Sequence, residues 1–222
     1  ALSVIEHVQA VVFSDYAKGF LNPELVYSVL SAAQARSLPV FVDTKPADVL
    51  WYVSASLYKL NLSEALDVLS RFGVVHPATA DAPANAAEWA ASALLPRLRA
   101  NTVVVTAGAA GAAYACDGYG SRSCAADATP VADVAGAGDT VLAALVAASF
   151  RERYGFDALH WAVAAAGLAV RQVGTVAVGA MAIDDAVCRQ QGTGGKVLSA
   201  TQALRKMRAR APPGEQRCSS GQ

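Results

Sequence analysis

Short valine-rich runs that alternate with helical segments constrain this chain more than any other feature of its sequence. Four such runs predict strands, at Val8–Ser14, Pro39–Asp43, Leu57–Leu60 and Thr102–Thr106. Each run is apolar along most of its length, which is typical of a strand that is buried on both faces of a parallel sheet. The pattern therefore predicts an α/β domain with a mostly parallel sheet that carries helices on both faces.

The segments between these runs predict the remaining elements. The helices are expected at Pro23–Arg36 with Asn22 as its cap, at Ser63–Phe72, at Ala84–Arg99, after Asp139 through the apolar run to Phe150, and at Phe156–Val170. Ala112–Cys116 and the polar stretch after it predict a hairpin that turns through Asp117–Gly120. A weaker strand or helix is expected around Val176–Met181.

Polar side chains follow the predicted strands at the points where they end. These residues are Asp15, Asp43, Asn61 and Thr106. Ligands of open parallel sheets bind at the carboxyl ends of the strands. The sequence therefore predicts a binding site along this edge of the sheet.

The segment Gly136-Ala137-Gly138-Asp139 directly precedes an apolar helical run. Small residues at a helix start let backbone N–H groups point outward, and together with the helix dipole they bind anions. Asp139 has two interpretations at this place. It could accept a proton from a hydroxyl while the amides stabilise a phosphoryl group in transfer, or it could cap the helix.

Composition limits the classes of function. A chain of 222 residues fits one domain with an appendage, and 18 basic against 18 acidic residues give no reason to expect nucleic acid as a partner. The four cysteines lack C-x-x-C spacing and the three histidines lie far apart, which argues against zinc and fits free thiols. The longest apolar runs fall short of the roughly 20 residues that span a bilayer. We expect a cytoplasmic protein that does not bind membranes.

The segment D-V-A-G-A-G-D-T at positions 133–140 resembles the second signature of the ribokinase-like (PfkB) carbohydrate kinases. The resemblance implies a ribokinase-like three-layer αβα fold and an ATP-dependent phosphotransferase. It implies that Asp139 is the catalytic base and that Gly136, Ala137 and Gly138 form the anion hole for the γ-phosphate. It also leaves room for a monovalent cation near Asp133, to which the sequence does not commit.

Two further segments resemble the nucleotide and metal motifs of the same family. Asn61 and Glu64 match its N-x-x-E motif, which implies a Mg²⁺ and phosphate site, although the same spacing is also a variant of the helix capping box. The T-x-G-x-x-G loop implies ATP binding by Thr106, Gly108 and Gly111, although it would also serve as a turn between two strands. Val163 stands where the family has an asparagine that faces adenine.

A narrower resemblance concerns the sugar substrate. S-D-Y-A-K-G at positions 14–19 and D-T-K at positions 43–45 are similar to segments of the heptose-7-phosphate kinases. This likeness implies substrate or phosphate contacts by Asp15, Lys18 and Lys45, although Lys45 could equally be a solvated loop charge. The implied reaction phosphorylates D-glycero-β-D-manno-heptose 7-phosphate at its anomeric hydroxyl to the 1,7-bisphosphate, in ADP-heptose synthesis.

The resemblance covers Val8 to about Val178, and nothing in this sequence resembles the N-terminal third of the family's fold. That third carries a β-lid, a sugar-binding acid and, in many relatives, the contact of a homodimer. We therefore expect a truncated kinase domain at residues 1–185, followed at 186–222 by a linker helix and a disordered tail. The alternatives are a kinase for another sugar and a catalytically inactive nucleotide-binding fragment.

Overall fold

The protein contains a six-stranded sheet whose strands lie side by side in their order along the chain. This computed structural model describes residues 2–77, 82–127 and 130–191. The strands are β1 (Val11–Ser14), β2 (Val40–Asp43), β3 (Leu57–Asn61), β4 (Thr102–Thr106), β5 (Ala112–Cys116) and β6 (Gly120–Cys124). Strands β1 to β4 are parallel, and β5 and β6 continue the sheet as an antiparallel hairpin. The prediction of a mostly parallel sheet is confirmed.

Six α-helices accompany the sheet in the part of the chain that the structure describes. They are α1 (Pro23–Ala35), α2 (Leu62–Arg71), α3 (Pro83–Leu98), α4 (Ala137–Ser149), α5 (Phe156–Ala169) and α6 (Ala180–Gln191). Short 3₁₀ helices lie at Leu2–His7, Val49–Tyr52 and Gly108–Ala110. No described helix has the length and apolar character that crossing a membrane would require.

Alternate residues of the strands face two separate apolar cores. On β4, Val103 and Val105 pack in a cluster with the buried residues of α1, α2 and α3, whereas Val104 packs in a cluster with those of α4, α5 and α6. Successive side chains of a strand point to opposite faces of the sheet, so the two clusters lie on its two sides. The result is a three-layer arrangement of helices, sheet and helices, as the sequence predicts.

Local sequence signals explain where the first helices begin. Asn22 caps α1, because its side chain accepts a hydrogen bond of 2.9 Å from the amide of Leu25, and Pro23 occupies the first helical turn. Asn61 caps α2 in the same manner, with a bond of 2.8 Å from the amide of Glu64. Both helix starts lie within one residue of the predicted ones.

The segment after residue 176 contains a helix, one of the two elements expected there, but its bounds differ from the prediction. It forms a helix, α6, that begins at Ala180 and continues to Gln191, well past Met181. Asp184 explains the extension: its carboxylate accepts a hydrogen bond of 2.8 Å from Trp161 on α5 and forms salt bridges with Arg151 and Arg153. These partners lie in other parts of the chain, so the local pattern could not indicate them.

Helix α6 also crosses the boundary that the sequence places at residue 185. Ile183, Ala186 and Val187 are buried in one cluster with α4 and α5, so the fold continues across that position. The linker helix and tail are expected at residues 186–222, and residues 192–222 of that range lie outside the described residues. Cys116, Cys124 and Cys188 are free thiols.

Gly111, at the start of β5, is the glycine whose replacement we expect to cost most. Its φ is 96°, and an added Cβ would lie 2.6 Å from the amide nitrogen of Ala126 and closer still to the carbonyl oxygen of Cys124. We expect Gly111→Ala to lower the free energy of unfolding by about 3 kcal/mol, measured by urea denaturation. Gly108→Ala is the matched control: φ is 57° there, but the added carbon meets open space, so its cost should be about 1 kcal/mol. Equal losses in the two variants would refute the role of crowding.

Candidate active site

The parallel register brings the predicted strand-end residues to one edge of the sheet. Ser14 of β1 is paired with Asp43 of β2, and Asp43 is paired with Lys59 of β3. Two residues further along β3, Asn61 lies opposite Thr106 of β4. The loops that follow these strands therefore meet at the same edge.

The first turn of α4 offers unsatisfied backbone donors at this edge. Its N-cap is Gly136, which has a φ of 74° and supplies no side-chain cap. The amides of Gly138 and Asp139 receive no acceptor from the described part of the chain, whereas the amide of Ala137 donates to the carbonyl of Val134 at 3.2 Å. Two adjacent N–H groups at the positive end of a helix dipole can bind an anionic oxygen. Of the predicted anion-hole residues, Gly136 thus supplies the turn and Gly138 a donor, while Ala137 is already bonded.

Asp139 is the third residue of α4 rather than its cap, so the capping interpretation is wrong. Its carboxylate is exposed and accepts a hydrogen bond of 2.6 Å from the hydroxyl of Tyr16 through Oδ1. Together with Val12, Ser14 and Leu142 it lines a mainly apolar cavity of about 460 Å³. Asp139 therefore lies next to the free amides and faces a space that is large enough for a small ligand.

A buried lysine lies against the same turn. The side chain of Lys59 is only 5% exposed, and it forms an ion pair with Asp43 of the neighbouring strand. Its Nζ would be 2.9 Å from a Cβ added at Gly138. Burial raises the pKa of Asp43 above its ordinary value, and the charge of Lys59 acts against that rise. The glycine at position 138 thus lets an ammonium group approach the helix start closely.

Asn61 and Glu64 form a complete capping box. Besides the hydrogen bond that the backbone amide of Glu64 donates to Asn61 Oδ1, the backbone amide of Asn61 donates to Glu64 Oε2 at 3.0 Å. Glu64 Oε1 accepts a hydrogen bond of 2.7 Å from Lys45 Nζ, with which it forms a salt bridge. This hydrogen bond raises the pKa of Lys45. Lys45 is therefore not a solitary loop charge. The capping interpretation is confirmed, and a metal role for Asn61 and Glu64 stays a prediction.

Asp15 anchors the loop after β1. It is 7% exposed, and its carboxylate accepts the amide of Ala17 at 2.8 Å and the hydroxyl of Tyr52 at 2.7 Å. Both oxygens thus face protein donors, although the sequence predicts a substrate contact for this residue. Lys18, three residues later, is exposed at the same edge of the sheet. Substrate contacts by Asp15 and Lys18 stay predictions.

The residues predicted to bind ATP are placed differently from one another. Thr106 ends β4, and Gly108 and Gly111 flank the turn to β5, both with positive φ. Val163, by contrast, is packed in the core cluster of α4 to α6 and is 7% exposed. The loop residues are at the site edge, whereas Val163 is largely enclosed by its neighbours. Nucleotide contacts by all four stay predictions.

Asp133 connects the turn before α4 to a second loop. Its Oδ1 accepts the amide of Ala135 at 2.9 Å, and its Oδ2 accepts the amide of Gly174 at 3.0 Å. These donors lower the pKa of Asp133 below its ordinary value. The turn is therefore held by backbone donors, and the sequence does not commit to a monovalent cation here. The described residues contain no group of three or more His, Cys, Asp or Glu side chains that could hold a metal.

Lys59 and Tyr16 also belong to this site, although the sequence motifs do not indicate them. For Lys59 a signal existed, because a charged residue interrupts the otherwise apolar strand L-Y-K-L-N. Tyr16 had no comparable signal, since its partner Asp139 lies 123 residues away in the sequence. Both side chains reach the α4 turn from other elements.

Sequence comparison identifies relatives of the chain. Residues 1–180 match the family described as pfkB family carbohydrate kinase. Bifunctional protein HldE of Pseudomonas aeruginosa (strain LESB58) is 36% identical over 204 residues, which are 91% of this chain and 40% of that protein. Bifunctional protein HldE of Caulobacter sp. (strain K31) is 39% identical over 174 residues, which are 77% of this chain and 34% of that protein. The chain spans less than half the length of these relatives.

Solved structures share the fold at low sequence identity. Phosphofructokinase-2 from Escherichia coli, in complex with substrates and products, has a TM-score of 0.71 and 18% identity, and the match covers 85% of this chain and 60% of that one. Arabidopsis thaliana ribokinase complexed with ribose and ATP has a TM-score of 0.68 and 20% identity, with coverage of 84% and 58%. The predicted ribokinase-like three-layer fold is confirmed.

We expect Lys59→Met to destabilise the protein strongly, because Asp43 would keep its charge in a half-buried place without a partner. The free energy of unfolding should fall by about 3 kcal/mol in urea denaturation. The matched control is the double variant Lys59→Met with Asp43→Leu, which removes both charges and should recover most of the loss. A double variant as unstable as the single one would contradict this account.

Asp133→Asn tests the turn before α4. The ionised carboxylate accepts two backbone amides, so its contribution to stability is present above its ordinary pKa of 3.8 and is lost as the pH falls through the lowered pKa of the folded state. We expect the variant to melt at a lower temperature than the wild type at neutral pH, and the difference to shrink below pH 3.8. Asp117→Asn, in the distant β5–β6 turn, is the control. A difference that persists unchanged in acid would exclude the carboxylate as its source.

Proposed function

The chain belongs to the pfkB family of carbohydrate kinases, and from this premise we propose that it transfers the γ-phosphoryl group of ATP to a hydroxyl of a sugar phosphate. The observation that carries the proposal is the first turn of α4. There the carboxylate of Asp139 lies at the mouth of a cavity, beside the amides of Gly138 and Asp139, which have no acceptor among the residues that the structure describes. A base and an anion site next to one another are what phosphoryl transfer to a hydroxyl requires.

Asp139 acts as the base in this proposal. One carboxylate oxygen accepts Tyr16, and the second has no partner among the described residues, so it can accept the proton of the sugar hydroxyl. The hydroxyl oxygen then forms a bond to the γ-phosphorus, while the bond from phosphorus to the β–γ bridging oxygen breaks and ADP departs. The proton remains on Asp139 until it passes to solvent. The chain thus needs one proton acceptor and one place for negative charge.

The negative charge of the transferring group is offset by the α4 turn. The amides of Gly138 and Asp139 would donate to its equatorial oxygens, and the Gly136 turn keeps the approach free of side chains. The buried ammonium of Lys59 lies behind Gly138 and adds positive potential at the same point. Charge stabilisation of this kind is the largest protein contribution to phosphoryl transfer.

The donor set at the start of α2 fits a Mg²⁺ ion held through water. Mg²⁺ binds oxygen ligands, keeps several of its waters and binds phosphates as well as one or two carboxylates. Glu64 has both oxygens engaged by protein donors, yet each oxygen can accept a further hydrogen bond from a metal-bound water, and the Asn61 side chain is exposed beside it. When bound, Mg²⁺ would offset charge on the ATP phosphates.

ATP is expected to lie along the loop from Thr106 to Gly111. The positive φ values of Gly108 and Gly111 bring backbone close to the edge of the sheet, where ribose and phosphates could be contacted without side-chain crowding. Val163 would then contribute apolar surface near the adenine only through the partly exposed fraction of its side chain. The Arabidopsis ribokinase, which shares the fold, was solved in complex with ribose and ATP, and this supports ATP as the co-substrate here.

For the sugar, D-glycero-β-D-manno-heptose 7-phosphate is the preferred candidate, phosphorylated at the anomeric hydroxyl to the 1,7-bisphosphate. Its support is the identity of 36–39% to bifunctional HldE proteins, together with the S-D-Y-A-K-G segment. Lys18 in this segment is an exposed cation at the site edge and could bind the 7-phosphate. Lys45 would assist through the loop after β2.

A second candidate function is a nucleotide-binding protein without turnover. The enclosed position of Val163, which leaves little of that side chain free to contact adenine, favours it. It predicts binding of Mg-ATP without phosphorylation of any sugar. A kinase for a different sugar phosphate would instead show turnover with another member of a substrate panel.

Asp139→Asn provides the decisive test. We expect heptose 7-phosphate phosphorylation, followed as ADP release, to fall about 10³-fold, because general-base catalysis is lost while the side chain keeps its size. The affinity for Mg-ATP, measured by calorimetry, should change little. Asp117→Asn, on the opposite edge of the sheet, is the matched control and should keep full activity.

The other outcomes separate the candidates. Activity of Asp139→Asn equal to that of the wild type would refute the role of the base. Wild-type protein that binds Mg-ATP but phosphorylates no sugar would favour the non-catalytic alternative.

A further inference from the structure

An exposed tyrosine contacts the carboxylate of Asp139 from across the sheet edge. Tyr16 lies in the loop after β1 and is 55% exposed, yet its hydroxyl donates a hydrogen bond of 2.6 Å to Asp139 Oδ1. The two residues are 123 positions apart in the sequence. A short bond from a hydroxyl to a carboxylate is of the strong, charge-assisted kind. The contact therefore joins the β1 loop to the first turn of α4.

The backbone around Tyr16 is held in place by buried groups. Ala17 has a φ of 54°, a left-handed conformation that costs energy in a residue with a side chain. The carboxylate of Asp15 compensates for it, because it accepts the amide of Ala17 while its other oxygen accepts the hydroxyl of Tyr52. Tyr52 is fully buried and packs edge-on against Phe13, with the two ring centroids 5.1 Å apart. Tyr16 thus extends from an anchored turn, although its own ring is largely in solvent.

The charges around the phenol favour its protonated, donating form. The pKa of Tyr16 is raised above its ordinary value, first by the hydrogen bond to Asp139, with a smaller contribution from the charge of Asp43. The hydroxyl of Ser14 acts in the opposite direction, and Lys45 lies near enough to interact with the phenol. The group therefore remains a hydrogen-bond donor throughout the neutral range.

We propose that Tyr16 is a positioning residue that orients the Asp139 carboxylate for the acceptor hydroxyl of the sugar. Its hydroxyl occupies Oδ1 and stops rotation of the carboxylate, which leaves Oδ2 as the oxygen that receives the proton. The inference rests on the proposed kinase function and deepens it. Both carboxylate oxygens of Asp15 accept hydrogen bonds from protein donors. In this proposal Asp15 anchors the loop that presents Tyr16.

The physical benefit is a fixed angle between the base and the hydroxyl. An exposed aspartate on a helix turn has several accessible rotamers, and only a part of them would point an oxygen toward the substrate. A donor from an anchored loop selects one of them before the substrate binds, which removes an ordering cost from the reaction.

Kinetics of Tyr16→Phe test the proposal. We expect kcat to fall about tenfold while KM for ATP changes less than about twofold, because orientation of the base is lost and nucleotide contacts are not. Tyr119→Phe, an equally exposed tyrosine in the β5–β6 turn, is the matched control and should match the wild type.

A second measurement reads the hydrogen bond without catalysis. In protein labelled with ¹³C at the tyrosine ring carbon that bears the hydroxyl, the Tyr16 signal is assigned by its loss in Tyr16→Phe. Its alkaline titration should move to lower pH in Asp139→Ala, because the negative charge and the acceptor are gone. The Tyr119 signal should titrate alike in both proteins.

The outcomes separate this inference from the proposed function. Either of two results would overturn the inference alone. One is a Tyr16→Phe variant with the full turnover of the wild type, and the other is a Tyr16 titration that is the same in Asp139→Ala as in the wild type. Absence of sugar phosphorylation in the wild type would overturn the proposed function and the inference together. The predicted loss of kcat with the predicted shift of the Tyr16 titration would support both.

Discussion

The close approach of Lys59 to the first turn of α4 is the contact on which the candidate site depends. The ammonium is held by Asp43 on the neighbouring parallel strand, and it reaches the helix start because residue 138 carries no side chain. A buried charge pair costs desolvation energy, which a well-formed hydrogen bond and mutual attraction must offset. At this position the ammonium group of Lys59 also makes the electrostatic potential at the N-terminal end of α4 more positive than the helix dipole alone would make it. A glycine is thus needed at position 138 because of a contact with another element of the fold.

Around this contact, the strand-end loops are organised by carboxylates that bind backbone or side-chain donors. Asp15 holds the loop after β1, Glu64 holds the start of α2, and Asp133 holds the turn before α4. Asp139 differs from them, because one of its oxygens has no partner in the described part of the chain and it faces a cavity. Fixed surroundings and one available acceptor are the conditions under which an acid can serve as a base with defined geometry.

The two interpretations of the N-x-x-E segment are compatible in physical terms. The capping box uses the Asn61 side chain and one oxygen of Glu64 to begin α2, and Lys45 neutralises the other oxygen. A carboxylate held this firmly can still orient a metal-bound water, since hydrogen-bond capacity remains on its oxygens. The metal-binding role and the helix-capping role therefore produce the same pattern in the sequence, and only binding measurements separate these two roles.

The sequence by itself determined the elements and the edge at which they meet. Strands β4 and β5 have their predicted bounds, Asn22 and Asn61 cap the helices that follow them, and Asp139 lies at a helix start, because strand periodicity and capping are set by neighbours within a few residues. Tertiary structure alone decided which side chains meet there. The bond from Tyr16 to Asp139, the pair of Lys59 with Asp43, the burial of Asp15 and the extension of α6 on Asp184 all join residues from separate elements. Their geometry follows from the order and register of the strands and from helix packing, which no local pattern of residues encodes.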